Sequence, residues 1–391
     1  MSYDRIWEWP PDALPMATER LTWLTAVRES QSGTEKRTQL RAHPRRQFTF
    51  RHIGLDHERQ RIQAALWSTS VDRWLMPFWW DVYRDAEWNV AEGRYDAPGI
   101  GDWRDFQAGD DRMVITDGDD WQAFDVILID GDGIYPDPIP PEHLEDGVSI
   151  YPSWPAAIDP VQPFDAIAAM AGQLQVTAEL IDYTSPGGDG DLPTQYEGLD
   201  VLEDRPNRHQ PQSVDYSRAV TQVDYGLGSV NRYDDPSSPV VDRSMVYRDG
   251  ARNDVWDRRL WLHKMAGMSG EFWAPTNNSD LTVVGDEGVN GELHVEPVGW
   301  SEHYVGDVSR THLYIRLRGG NIEIREITNA LFEDDYESLV IGAFDFDADD
   351  VLQVSWLERC RIAADEIEMT WHTQGVTDTE IPLRTIRNDE D

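Results

Sequence analysis

The sequence predicts a mainly β protein with a few packed helices (α+β), on three observations. Short runs alternate apolar and polar residues, as in "RMVITD" from Arg112, "QLQVTAELIDY" from Gln173 and "EIEMTWHTQGV" from Glu366. Gly, Asp and Pro clusters separate these runs. Helical periodicity is confined to a few stretches.

In chain order, "TERLTWLTAVR" (Thr18 to Arg28) sets Leu21, Leu24 and Val27 at helical spacing behind Thr18 as N-cap, so a helix is expected there. "FTFRHI" reads as a strand, and Asp56 opens a helix through Ser68 that buries Ile62, Ala65 and Leu66. An aromatic block, Trp74 to Trp80, follows. Residues 110 to 154 form a small antiparallel unit, continued by a strand that puts Leu174, Val176, Ala178 and Leu180 on one face. "SPGGDGDLP" (Ser185 to Pro193) is a linker. "HLYIRLRGGNIEIREI" is a hairpin turning at Gly319 and Gly320, another strand runs into a Gly375 turn, and "RNDED" is a solvated tail.

The totals bound the function. The net charge is −39, from 73 Asp and Glu against 34 Lys and Arg, and only Lys36 and Lys264 are lysines. Surplus carboxylate with Arg in place of Lys is the composition of an extreme halophile, and such a bulk surface repels nucleic-acid phosphates. With 17 Trp and 40% hydrophobic residues the chain is too apolar to stay unfolded. A single cysteine, Cys360, excludes an internal disulfide framework and Cys-based metal sites. No basic-then-apolar leader and no apolar run of membrane-spanning length is present, so a soluble protein without a secretion signal is expected.

No catalytic signature is present: no phosphate loop, no His-Glu-x-x-His helix, no Gly-x-Ser-x-Gly elbow. His294, His303 and His312 recur at nine-residue intervals without a ligand pattern, and Asp345, Asp347, Asp349 and the "DGDG" at Asp130 lack the ligand set of a calcium loop. They read as solvated turns. Trp74, Trp79, Trp80, Phe272 and Trp273 could build a sugar platform beside carboxylates, but read better as core or subunit-contact residues. Catalytic, cofactor and metal residues are therefore expected to be none.

One segment breaks the acidic pattern. Trp23 to Arg51 holds seven basic residues against Glu29 and Glu35. It has three readings: a nucleic-acid track, a solvated loop, or an arm whose arginines grip carboxylates of a neighbouring copy, where Arg pairs bidentately and Lys cannot.

An internal repeat favours the third. "GTEKR" (Gly33 to Arg37) precedes Pro44 as "GSVNR" (Gly228 to Arg232) precedes Pro239, with equal spacing. Each copy then has a strand, a helix opened by an Asp (Asp56; Asp254), and an aromatic three residues before a proline (Trp74 and Pro77; Phe272 and Pro275).

With that repeat, the chain resembles the tail-tip proteins of long-tailed phages and tailed archaeal viruses. The resemblance rests on Trp23-Leu24-Thr25, on Gly33 to Arg37 and the Leu40-Arg41-Ala42-His43-Pro44-Arg45 run, on "YEGLDVLEDRPN" (Tyr196 to Asn207) and on "EIEMTWHTQGV". The second copy departs from it in lacking an Arg after Pro239. The resemblance implies a distal tail or baseplate hub protein of a haloarchaeal virus, a structural, non-enzymatic virion protein at the tail tip, made in the host cytoplasm. It implies two tail-tube-like β-sandwich modules, each with a packed helix, at residues 1–90 and 205–290. A β extension is placed at 91–184, a linker at 185–204 and a C-terminal β domain at 291–391. Implied partners are its own copies in a ring (a trimer acting as a pseudo-hexamer, or a hexamer), the tail tube protein, and other baseplate, tape-measure and fibre proteins. DNA would be met only in transit, through a neutral or acidic channel, and no membrane is entered. On this account Arg37, Arg41, Arg45, Arg46, Phe48, Phe50 and Arg232 form the subunit interface. The alternative is a carbohydrate-binding or carbohydrate-active β protein of a halophile.

Overall fold

The computed structural model describes residues 5–386, except 13, 31–33, 68–72, 107–111, 145, 210–211, 219, 225, 227–229, 235–238, 289, 304–309 and 334. The expected solvated tail, Arg387 to Asp391, and the glycines Gly33 and Gly228 lie outside the described residues. Strands hold 50% of the described residues and helices 12%, so sheet pairing sets the architecture.

The first half runs β1 (Arg5–Ile6), β2 (Ala17–Thr22), β3 (Thr25–Glu29), β4 (Glu35–Gln39) and β5 (Arg45–Leu55), then α1 (Asp56–Trp67) and β6 (Trp74–Pro77). An excursion follows through β7 (Tyr83–Asn89), β8 (Arg94–Asp96), β9 (Arg112–Thr116), β10 (Trp121–Ile129) and β11 (Gly133–Asp137). The chain returns through β12 (Val148–Ile158), β13 (Phe164–Ala168) and β14 (Ala171–Leu180).

The helix expected over Thr18–Arg28 is instead the two strands β2 and β3. Leu21, Leu24 and Val27 do sit at helical spacing, but β2 buries alternate residues Ala17, Glu19 and Leu21. The buried residue between two apolar ones is a glutamate, and that disguises the period of two. The strand over "FTFRHI" and the helix from Asp56 are as expected, with Ile62 and Ala65 buried.

After β15 (Gln195–Tyr196) and β16 (Leu199–Asp200), the second half repeats the order: β17 (Val214–Ser217), β18 (Val220–Val223), β19 (Asn231–Asp234), β20 (Val240–Asp249), α2 (Arg252–Met265) and β21 (Phe272–Pro275). Its excursion contains β22 (Val283–Glu287), β23 (Glu292–Val295), α3 (Trp300–His303), β24 (His312–Leu317), β25 (Ile322–Glu326), β26 (Asn329–Phe332) and β27 (Glu337–Val340). The return is β28 (Val351–Ile362), β29 (Glu366–Thr373) and β30 (Val376–Thr385).

The pairings coincide residue by residue. β2 pairs β5 with Glu19 opposite Phe48, and β17 pairs β20 with Val214 opposite Arg243, every number higher by 195. The hairpins β3–β4 and β18–β19 keep that offset: Thr25 faces Gln39, and Val220 faces Asp234. It is the offset of the Gly-to-Arg and Pro44/Pro239 spacings in the sequence. Further on, β14 lies between β5 and β12, and β30 between β20 and β28. β6 pairs β12 as β21 pairs β28, so Trp74 faces Ala156 and Phe272 faces Cys360. β13 folds back on β14, and β29 on β30, each with a register irregularity at the same place.

Among the described residues one strand pairing joins the halves: β2 runs antiparallel to β29, Ala17 to Thr22 against Trp371 to Glu366. The result is one antiparallel sheet in the order β13-β14-β5-β2-β29-β30-β20-β17, two four-strand units side by side. The sheet's inner face packs on the helices and on an aromatic core that includes Trp7, Phe48, Phe50, Trp80, Trp261 and Trp371. The boundaries expected from sequence shift accordingly. β12 to β14 complete the first unit, and the excursion between β6 and β12 has its own core around Tyr95, Ile115 and Ile150. A third core around Leu293, Leu313 and Trp356 fills the second excursion.

Phe48 and Phe50 are thus core residues, 0% and 2% exposed, and not interface residues. Phe48→Ala is expected to lower the unfolding free energy by about 3–5 kcal/mol, against about 0.5 kcal/mol or less for Arg45→Ala on the solvent face, as read by denaturant titration.

Candidate assembly site

Where β2 meets β29, four charged side chains from distant parts of the chain meet in the interior. β2 supplies Glu19, β5 Arg46, the first excursion Asp105, and α2 Arg259; all are at most 2% exposed. Arg46 Nε donates to Glu19 Oε1 at 2.8 Å and its NH1 to Asp105. Arg259 donates to Glu19 Oε2 at 3.0 Å and to Asp105 Oδ2 at 3.3 Å. Trp371 of β29 adds its indole N–H to Glu19 Oε2 at 2.8 Å. The Arg46 guanidinium also lies 4.8 Å from the centre of the Phe78 ring and 4.9 Å from that of Tyr183.

Two formal positive and two negative charges cancel, which is what makes burial tolerable. Burial would raise the Glu19 carboxyl, but Arg259, Arg46 and the Trp371 N–H outweigh it and hold it below the usual carboxylate range. Burial, then Arg46 and Arg259, push the neighbouring His263 down to about 3. Its ring meets the Tyr183 hydroxyl at 3.3 Å and stays neutral.

The arginines expected at a subunit interface divide differently. Arg46 is spent in this cluster, so it is not available to a neighbour. Arg37 pairs with Glu271 and donates to the Gly270 carbonyl, and Arg41 donates to the Thr22 carbonyl at 3.0 Å. These bonds pin the β3–β4 hairpin to its own chain. Arg45 stands on the solvent face of the sheet, 3.6 Å from Glu179. Arg232 lies on β19 opposite Gln222. Sequence reasoning missed Glu19, Asp105 and Arg259, because their spacing follows no short motif.

The Trp and Phe residues weighed as a sugar platform are interior: Trp74, Trp79, Trp80, Phe272 and Trp273 are at most 5% exposed. Among the described residues no group of three His, Cys, Asp or Glu side chains is placed to hold a metal ion. The Asp130 carboxylate accepts from the N–H groups of Asp132 and Gly133, closing a turn. Among the described residues no helix is long and apolar enough to cross a membrane. No protein-family model and no curated protein sequence matches the chain.

Glu19→Gln leaves two buried guanidiniums facing one carboxylate, and is expected to cost about 3–5 kcal/mol by denaturant titration. For His263, the folded chain stays neutral while the unfolded chain takes up a proton below its ordinary value of about 6.5. Its contribution is therefore complete above pH 6.5 and is lost as pH falls toward 3. Stability should drop by about 1 kcal/mol between pH 7.5 and 5.5, and His263→Gln should remove most of that slope.

Proposed function

We propose that the chain is a non-enzymatic structural protein of the tail tip of a tailed virus of halophilic archaea, a distal tail or baseplate hub protein. It ends the tail tube as a ring of its own copies and anchors adsorption components. The observation that carries this reading is the sheet itself: one chain builds the same four-strand unit twice, side by side and in register. Such a chain supplies two near-equivalent positions to a ring, so three copies give pseudo-sixfold symmetry that matches a six-subunit tube.

The sheet's solvent face supports a channel lining. It carries cross-strand pairs, Arg20 with Glu368, Arg45 with Glu179, Arg248 with Asp378 and Arg384 with Asp242. Glu366 and Glu380 are exposed there as well. A lining of matched charges with a slight acidic excess lets DNA slide without holding its phosphates. On this reading Arg45 faces the channel, paired with an acid, and not a subunit contact. The excursions carrying the second and third cores extend from the units and would hold the tube protein above and the adsorption proteins around.

The reading is tested in the virus. Deleting the gene should leave heads full and free of infectious tails, and labelled antibody should mark the tail end in wild-type particles. Normal tails in the deletion, or label on heads alone, would refute it.

A further inference from the structure

Between β16 and β17 the chain runs through Leu202 to Arg208, the end of the "YEGLDVLEDRPN" stretch and the residue after it. Two backbone hydrogen bonds tie this loop down: Leu202 N–H to the Trp273 carbonyl at 2.8 Å, and Asn207 N–H to the Val246 carbonyl at 2.6 Å. Pro206 is buried between them, and Arg205 and Arg208 are exposed. Arg316, near the end of β24, lies beside this loop.

The guanidiniums are held in place by neutral oxygens. Arg208 Nη2 donates to the Asn277 carbonyl and, at 3.1 Å, to Asn278 Oδ1. Arg316 Nη2 donates to the Glu203 carbonyl at 3.0 Å and to Asn277 Oδ1 at 3.3 Å. Elsewhere the chain gives its buried arginines carboxylates: Arg46, Arg243, Arg258, Arg259 and Arg361 each reach one. Among the described residues Arg205, Arg208 and Arg316 form no ion pair. Asp204 is taken by Arg258 at 2.6 Å. Burial pushes Arg316 below the usual arginine range, and the repulsion of Arg205 outweighs the attraction of Glu203. In a chain of net charge −39 this is a patch of uncompensated positive charge.

Its hydrogen-bonding capacity is one-sided as well. The local acceptors are engaged: the Asn277 and Glu203 carbonyls, Asn277 Oδ1 and Asn278 Oδ1 by the arginines, and Asn207 Oδ1 by the His209 N–H. Donors are left over, because each of Arg208 and Arg316 uses only its Nη2 within the chain. The complement of such a surface is a group that only accepts, and a planar carboxylate matches the guanidinium edge.

We propose that Arg205, Arg208 and Arg316 bind an acidic segment of a partner protein, whose Asp or Glu carboxylates seat bidentately on the guanidiniums. A uronic-acid polymer would also bring hydroxyls, which need the acceptors already engaged. Duplex DNA is held largely by unspecific charge attraction, which multimolar salt weakens steeply. Direct bidentate contact survives that screening better than charge at a distance, and Arg supplies it where Lys does not. The site is complete in a single chain and does not depend on the ring reading.

The test is binding of a fluorescent poly-L-glutamate peptide to the full chain, read by anisotropy in about 3 M KCl, where the chain's own negative field is screened. The parent chain is expected to bind saturably, and R205A/R208A to bind at least about tenfold more weakly. Both side chains are exposed, so this variant should unfold at the parent's denaturant concentration. R45A/R248A, on the sheet's solvent face, should bind as the parent does. R205K/R208K keeps the charge without the fork and should regain little. Undiminished binding by R205A/R208A or full binding by R205K/R208K overturns the proposal. So does polygalacturonate or a short DNA duplex binding as tightly as the peptide, or no saturable peptide binding at millimolar concentration. Each of these results leaves the ring reading standing.

Discussion

Everything in this fold turns on one buried carboxylate. Glu19 sits at the line where the two halves of the sheet meet and is reached by an arginine from each half, Arg46 and Arg259, and by an indole from the far strand. Asp105 balances the second positive charge and brings the first excursion into the same contact. An unpaired charge there would cost several kcal/mol, so the four groups hold only as a set. That condition ties β2, β5, α2, β29 and the excursion to a single arrangement, and it explains why two similar units make one sheet and not two tethered domains.

The cluster also gives the chain its polarity. The repeat makes the two units alike in strand order and hairpin register, and the sheet alone would allow either end to meet the other. Placing the pair Glu19 and Arg46 at the internal seam, with Val214 and Val241 at the matching positions of the second unit, marks one contact as permanent. Solvent conditions point the same way. The exposed ion pairs of the outer face are screened by salt within about 3 Å at 1 M, whereas the cluster is sealed from it.

Much of the β architecture was legible in the sequence. Alternation marked β14 and β29, Gly319 and Gly320 marked the turn between β24 and β25, and the spacing of Arg37, Pro44, Arg232 and Pro239 carried the true offset of the repeat. β2 was not legible as a strand, since a glutamate occupies its central inward position. The cationic stretch looked like an arm for a neighbour because its partners, Glu271 and Glu19, are respectively remote in sequence and hidden inside an apolar alternation. Periodicity reports which face is buried. It does not report which charges meet inside.

The most direct measurement is a three-dimensional reconstruction of the protein assembled at multimolar salt. The account predicts a three-copy ring whose wall is one uninterrupted antiparallel sheet, with Glu19, Arg46, Asp105 and Arg259 sealed within each copy and the excursions outside. A ring held together through the excursions, with the sheets of adjacent copies apart, would contradict it.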